Sequence, residues 1–303
     1  MLRDGTIQRW PRVNLLGYHF QMIADEYRNG AFDRAIVAAV GRFRDAHAGR
    51  APRVLDIGSG SGLLALMAAR AGASEVHSLE MVPALAAAAR HIVAANGYAN
   101  RVSIHGMMST ELDPSAVGGA FDILVCEIVD DLLLGEGVLP TVTDARHRLL
   151  TPSATILPRG GSLWALPVEL LPATRAGLDL SAFHAFAAST ALTPNPNQAV
   201  RLGGRLSPPY TALAAPVQLV HLDWASSHIS EMEMPSGSEI GPHPLRIHTP
   251  GTLTALLLYF SLDLDGHPSN AITSAPSGVP PASDQGAAQP ASAWDQRVRY
   301  LPM

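Results

Sequence analysis

The stretch VLDIGSGSG, residues 54–62, runs from strand-forming apolar positions into three glycines at 58, 60 and 62. Such a strand, passing through glycines into a helix, lets the backbone approach a ligand closely at the carboxyl edge of a parallel sheet. Working outward, the pattern predicts a strand over 53–57 and a helix over 62–71 that Gly72 stops. A strand over 75–79 follows, then an Ala-rich helix over 83–96 with Pro83 in its first turn and Gly97 after it. Strands over 101–105 and 121–126 and a helix over 141–150 complete the alternation, which gives a parallel sheet covered by helices. Upstream, residues 15–47 repeat apolar positions at helical spacing and predict one or two amphipathic helices.

Beyond Pro158 the texture changes. Alternating segments at 162–168, 217–224 and 252–264 stand between Pro, Gly and Ser clusters, the pattern of an antiparallel β domain. Residues 173–192 are expected as a short helical excursion, and the Pro/Ala/Ser-rich stretch 274–291 as a loop without fixed structure. The expected organisation is therefore N-terminal helices over 1–50, an α/β domain over 51–158 and a β domain over 159–303.

With 303 residues, 47% hydrophobic and 16% charged, the chain carries enough apolar surface to bury a core, which excludes a disordered polypeptide. The net charge is -5; all 21 basic residues are arginine and none gather into a run, which argues against a nucleic-acid groove. No apolar stretch approaches the roughly 18 residues of a membrane span, and the first residues lack a secretory apolar core. With Cys126 as the one cysteine, a cytoplasmic protein is expected. The twelve histidines form no ligand cluster, so no metal is expected. Cys126 reads as a buried small residue rather than a nucleophile, and Trp224 as a core aromatic.

Alone, GSGSG is no more than a tight strand-to-helix turn. With Asp56 two residues earlier and Glu80 closing the second strand, it becomes a nucleoside site in which Glu80 accepts hydrogen bonds from ribose hydroxyls. A dinucleotide fingerprint needs glycine at 63, where this chain has Leu63, so S-adenosylmethionine fits better than NAD. Downstream, FDILVC runs into EIVDDLLLGEGVLP, with Glu127 at a strand end and Glu136 nine residues later. Two acids flanking a bend can grip one guanidinium, whose planar fork pairs bidentately with carboxylates. Taken singly, Glu127 also reads as a helix cap and Glu136 as a solvated loop charge.

VLDIGSGSG, Glu80 in SLEM and the EIVDDLLLGEGVLP segment together resemble the protein arginine methyltransferase family, whose "double-E" loop the two acids match. Residues 130–140 are most similar to the monomethylating seventh-member subfamily, with its D-x-x-L-x-G-E-G-x-L-P pattern. In MIADEYRN, Met22, Asp25 and Arg28 fall on the helix that covers the cofactor in that family, with His19 one turn earlier. Met81 and the MST stretch, with Met108 and Ser109, match adenosine-contacting positions, and SAWDQRVRYLP resembles the substrate-lining "THW" loop through Trp294 and Gln296. The loop's histidine is replaced by Ala293, so the histidine–aspartate pair with Asp25 cannot form.

The resemblance implies a Rossmann-like methyltransferase domain followed by an antiparallel β-barrel, in a homodimer joined through a helical arm near 173–192. It also implies S-adenosyl-L-methionine as cofactor, with Arg28 on its carboxylate, and methyl transfer to an arginine guanidino group held by Glu127 and Glu136. The expected acceptor is free L-arginine or a small arginine-like metabolite, which receives one methyl; the alternatives are arginine in a protein, and a silent binding protein of the same fold.

Overall fold

The computed structural model describes residues 18–170, 174–175, 177–179, 200–202, 210–224, 245–276, 279 and 296–300. The chain divides into two units: residues 1–128 with 140–158, and residues 129–139 with 159–303.

The first unit is built on five parallel strands in the order β3-β2-β1-β4-β5: β1 Arg53–Ile57, β2 Glu75–Leu79, β3 Val102–His105, β4 Phe121–Cys126 and β5 Leu150–Leu157. Strands β1 and β4 are almost wholly buried, as central strands of a parallel sheet covered on both faces are, Asp56 and Asp122 included. The N-terminal helical pattern resolves into two helices, α1 Tyr18–Ala24 and α2 Glu26–Ala46. Asp25 makes the break, since its Oδ1 accepts from Arg28 N at 2.8 Å and caps α2. Asn29 ties the two together by donating from Nδ2 to the carbonyls of Met22 and Ile23. Helix α2 buries Ala31, Phe32, Ala35, Ile36, Ala39 and Val40, a stripe at 3.6-residue spacing. Helices α3 Leu63–Ala71 and α4 Pro83–Ala95 follow β1 and β2 as the alternation predicts.

Two boundaries differ. The helix expected over 141–150 is α5 Val138–Arg148. Pro140 stands at its third residue, where an N–H has no intrahelical partner to lose. Leu150 instead opens β5, a strand the sequence reading missed because exposed Pro152 and Ser153 interrupt its apolar pattern. A proline is tolerated there because β5 is an edge strand.

The second unit holds an antiparallel sheet in the order β10-β6-β12-β14-β9. Its centre is β6 Gly160–Leu170 paired with β12 Ala255–Asp263 over nine positions, from Ala255 opposite Val168 to Asp263 opposite Gly160. Strand β11 Val217–Asp223 also pairs with β6, and β13 Ile272–Thr273 with β12. Alternate residues point to one face, so Leu166, Val168 and Leu170 meet Ala255, Leu257 and Tyr259 in a buried cluster. Trp164 stacks on Tyr259 and donates from Nε1 to Ser261 Oγ at 3.0 Å, while Trp224 is fully buried, the core aromatic expected of it. Short strands β9 Val200–Leu202, β10 Tyr210–Ala212 and β14 Gln296–Tyr300 flank this pair.

The excursion expected to be helical opens on a hairpin instead. Strand β7 Thr174–Arg175 pairs with β8 Leu178–Asp179, and Gly177 takes a φ of 78° in the turn, a conformation that favours glycine and breaks a helix. The rest of that expectation, 180–192, lies outside the described residues. In the 274–291 stretch the first residue is fixed, contrary to expectation: buried Ser274 accepts from Phe260 N through Oγ at 3.0 Å and donates its own N–H to Phe260 O. Apart from 274–276 and 279, that stretch too lies outside the described residues.

Candidate functional site

At the carboxyl edge of the parallel sheet, β1 turns through Gly58, Gly60 and Gly62 into α3. The turn is pinned to the neighbouring strand, since the Gly58 and Ser59 N–H groups both donate to Leu79 O, at 3.0 and 2.9 Å. Gly58 has φ of 88°, and a Cβ there would stand 2.7 Å from Ile128 Cγ2, so both conformation and space require glycine. Glu80 closes β2 and folds over the same turn, with Oε2 accepting from Gly60 N and Oε1 from Val82 N, each at 2.9 Å.

Asp56 is fully buried, and its Oδ2 accepts from Ser78 Oγ at 2.7 Å. Its Oδ1 and the buried Ser59 Oγ have no hydrogen-bond partner among the described residues. Burial pushes the Asp56 carboxyl up to about 7; Ser78 opposes the rise and the charge of Glu80 adds to it. At the ends of the next strands, Met81 and Met108 are exposed, whereas Ser109 is buried. Arg148 holds that segment: its guanidinium donates to Ser109 O at 3.0 Å and Leu112 O at 2.9 Å, and is itself gripped by Asp144.

Arg28 lies in the first turn of α2 and is 5% exposed. Its guanidinium donates to Glu127 Oε2 at 2.6 Å and to Asn29 Oδ1 at 2.7 Å, and packs over the Phe32 ring. Glu127, buried just past the end of β4, is thus no helix cap but half of a buried ion pair. Of the other residues expected on the covering helix, Met22 and His19 are partly exposed on α1. Cys126 beside Glu127 is buried, and burial together with the charges of Asp56 and Glu127 pushes its thiol well above the usual range. A thiol so far from ionising is no nucleophile.

Glu136 belongs to the second unit, on the loop before α5. The residue is exposed, yet partial desolvation, with Asp130 and Asp131 nearby, raises its carboxyl above the usual glutamate range. Trp294 lies outside the described residues, and Gln296 is the first residue of β14 rather than part of a loop. The sequence reading missed Asn29, Ser78 and Arg148, which orient the expected site residues and carry no motif of their own. Among the described residues no group of three or more His, Cys, Asp or Glu could hold a metal ion, and no helix is long and apolar enough to cross a membrane.

Residues 42–150 match the ribosomal protein L11 methyltransferase (PrmA) family. The chain is 38% identical over 261 residues to an arginine N(omega)-methyltransferase of Streptomyces achromogenes subsp. streptozoticus, covering 84% of this chain and 66% of the relative. It is 29% identical over 296 residues to protein arginine N-methyltransferase 7 of Caenorhabditis briggsae, covering 93% of this chain and 43% of the relative. The chain thus spans less than two thirds of the length of these relatives. Among solved structures, the Trypanosoma brucei PRMT1 enzyme-prozyme heterotetrameric complex with AdoHcy superposes with a TM-score of 0.65 at 22% identity, over 94% of this chain and 82% of that one. Arabidopsis thaliana protein arginine methyltransferase 10 follows with a TM-score of 0.64 at 20% identity, over 95% of this chain and 83% of that one. A glycine turn closed by Glu80, an acidic loop after β4 and relatives that align along nearly the whole chain point the same way: the chain is similar to arginine N-methyltransferases, the seventh member of the protein arginine methyltransferases among them.

Proposed function

We propose that the chain transfers one methyl group from S-adenosyl-L-methionine to a guanidino nitrogen of free L-arginine or a small arginine-like metabolite. The observation that carries the methyl-transfer reading is the edge formed by Asp56, Gly58, Gly60, Gly62 and Glu80. A buried Asp56 Oδ1 without a partner suits a donor group of the ligand, and the glycine turn leaves room for its backbone-close part. Glu80 retains lone pairs for ribose hydroxyls, Met81 and Met108 offer exposed apolar faces to adenine, and Ser109 borders them. His19, Met22 and Arg28 cover the cofactor, with Arg28 on its carboxylate. Arginine as acceptor is supported by the name of the Streptomyces relative. Protein-bound arginine is the second reading, favoured by the names of the seventh-member relatives.

The cofactor, when bound, supplies an electrophilic methyl on sulfur. A guanidinium is protonated to pKa 12 or beyond and is a poor nucleophile. Glu127 and Glu136 draw its positive charge toward the nitrogens they bind, which leaves more lone-pair character on the third. Glu136, whose carboxyl holds protons more readily than an ordinary glutamate, takes up the proton released after transfer. Trp294 and Gln296 line the acceptor's entry. In this reading the second unit's sheet closes into a barrel and two copies pair, as the heterotetrameric solved relative encourages.

The test is incubation with methyl-labelled S-adenosylmethionine and either free L-arginine or arginine-containing peptides, followed by mass spectrometry. Monomethylarginine formed efficiently from the free amino acid, with peptides ignored, is the expected result. Peptides far better than the amino acid, or accumulation of a dimethylated product, overturns the free-arginine reading; no transfer to either overturns the enzyme.

A further inference from the structure

The loop that carries Glu136 is organised by one side chain. Asp130 Oδ1 accepts from Leu132 N at 3.1 Å and Gly135 N at 2.8 Å, and its own carbonyl accepts from Leu133 N at 2.9 Å. The carboxylate fills the space beside Gly135: a Cβ on that residue would stand 2.6 Å from Asp130 Cγ. Gly135 has no unusual φ, so it is glycine here for room and not for conformation. Leu133, by contrast, does take a left-handed φ of 75°, and is held there by complete burial.

We propose that Asp130 is a positioning residue for the acceptor-binding carboxylate: by accepting the Leu132 and Gly135 N–H groups it sets the backbone from which Glu136 extends, and Gly135 is its steric counterpart. The inference rests on the reading of Glu136 as a ligand of the guanidinium. A carboxylate that grips a planar cation bidentately must hold its place within about 0.5 Å, and an exposed loop whose backbone donors are unengaged does not provide that. Asp130 acts on the main chain through these two acceptor bonds, and its charge also bears on Glu136, an effect that the neutral Asp130→Asn removes while it keeps the bonds.

The experiment compares Asp130→Ala, Asp130→Asn, Gly135→Ala, the double variant Asp130→Ala with Gly135→Ala, and Glu136→Gln. Each is read by steady-state kinetics with the arginine acceptor and by calorimetry with S-adenosylhomocysteine. Asp130→Ala is expected to lower kcat/KM for the acceptor by roughly tenfold or more while cofactor affinity stays within about twofold. Asp130→Asn keeps an Oδ1 acceptor for both N–H groups and is expected to recover to within about threefold of the parent. Gly135→Ala should lower kcat/KM as Asp130→Ala does, yet have little further effect once Asp130 is already alanine, the non-additivity of two residues sharing one space. Asp130→Ala at the parent kcat/KM, Asp130→Asn no better than Asp130→Ala, or additive losses with Gly135→Ala each overturn the positioning role. Parental activity in Glu136→Gln overturns the underlying reading instead, which separates the two failures.

Discussion

Glutamine at position 127 or 136 is expected to lower turnover by roughly a hundredfold or more while cofactor binding stays within a few-fold, because one preorganised electrostatic contact in such a site contributes about 3 kcal/mol to the barrier. The two variants should part company in stability. Glu127 is the buried counterion of Arg28, with side-chain exposures of 6% for Arg28 and 4% for Glu127. Removing one partner of a buried pair costs about 3–5 kcal/mol, so Glu127→Ala should melt well below the parent, with Glu127→Gln between them. Glu136 is exposed and crowded by Asp130 and Asp131, so Glu136→Gln should melt at or above the parent temperature. Parental turnover in either glutamine variant removes that residue from the mechanism, and a Glu127→Ala protein as stable as the parent removes the ion pair from the fold.

The second large effect concerns Asp56. Its folded pKa of about 7 lies above the unfolded value near 4, so between those pH values the folded chain keeps a proton that the unfolded chain releases. Folding stability therefore falls as pH rises from about 4 to about 7 and levels off above it. With each pKa unit equivalent to 1.36 kcal/mol, the total is about 4 kcal/mol. Asp56→Asn is expected to abolish that slope and to raise the unfolding free energy at pH 8 by a comparable amount in the ligand-free chain. In the proposed cofactor site the partnerless Asp56 Oδ1 accepts from the ligand, so the same variant should bind S-adenosylhomocysteine roughly tenfold more weakly. Denaturant titrations at several pH values, set beside calorimetry, check both. A pH-independent parent stability contradicts the buried, proton-holding carboxyl.

How much of this was legible in the sequence follows the range of the interactions. The glycine turn and Glu80 are encoded within a single βαβ stretch, and the strand–helix alternation located β1 to β4 because each is a short segment with apolar strand formers between turn or helix signals. Strand β5 was hidden by Pro152, which only its edge position excuses. The Arg28–Glu127 pair joins residues 99 apart, and no periodicity links a helix to the end of a distant strand. Arg148 reaches Ser109 from 39 residues away in the same manner. The hairpin at β7 and β8 went unseen because its strands are two residues each, too short for alternation to register against an Ala- and Leu-rich background.

The single thiol of Cys126 supplies a natural clock for the first unit. It closes β4, between β1 and β5, where every residue of the strand is buried and the thiol resists ionisation. An alkylating reagent in the surrounding water meets no thiolate until the sheet itself parts, so the modification rate counts opening events of the parallel sheet and not surface breathing. With no other cysteine in the sequence, one mass increment per chain reads that opening frequency without any engineered label. A ligand that binds at the sheet's carboxyl edge only when the unit is closed must slow the clock in proportion to its affinity and concentration.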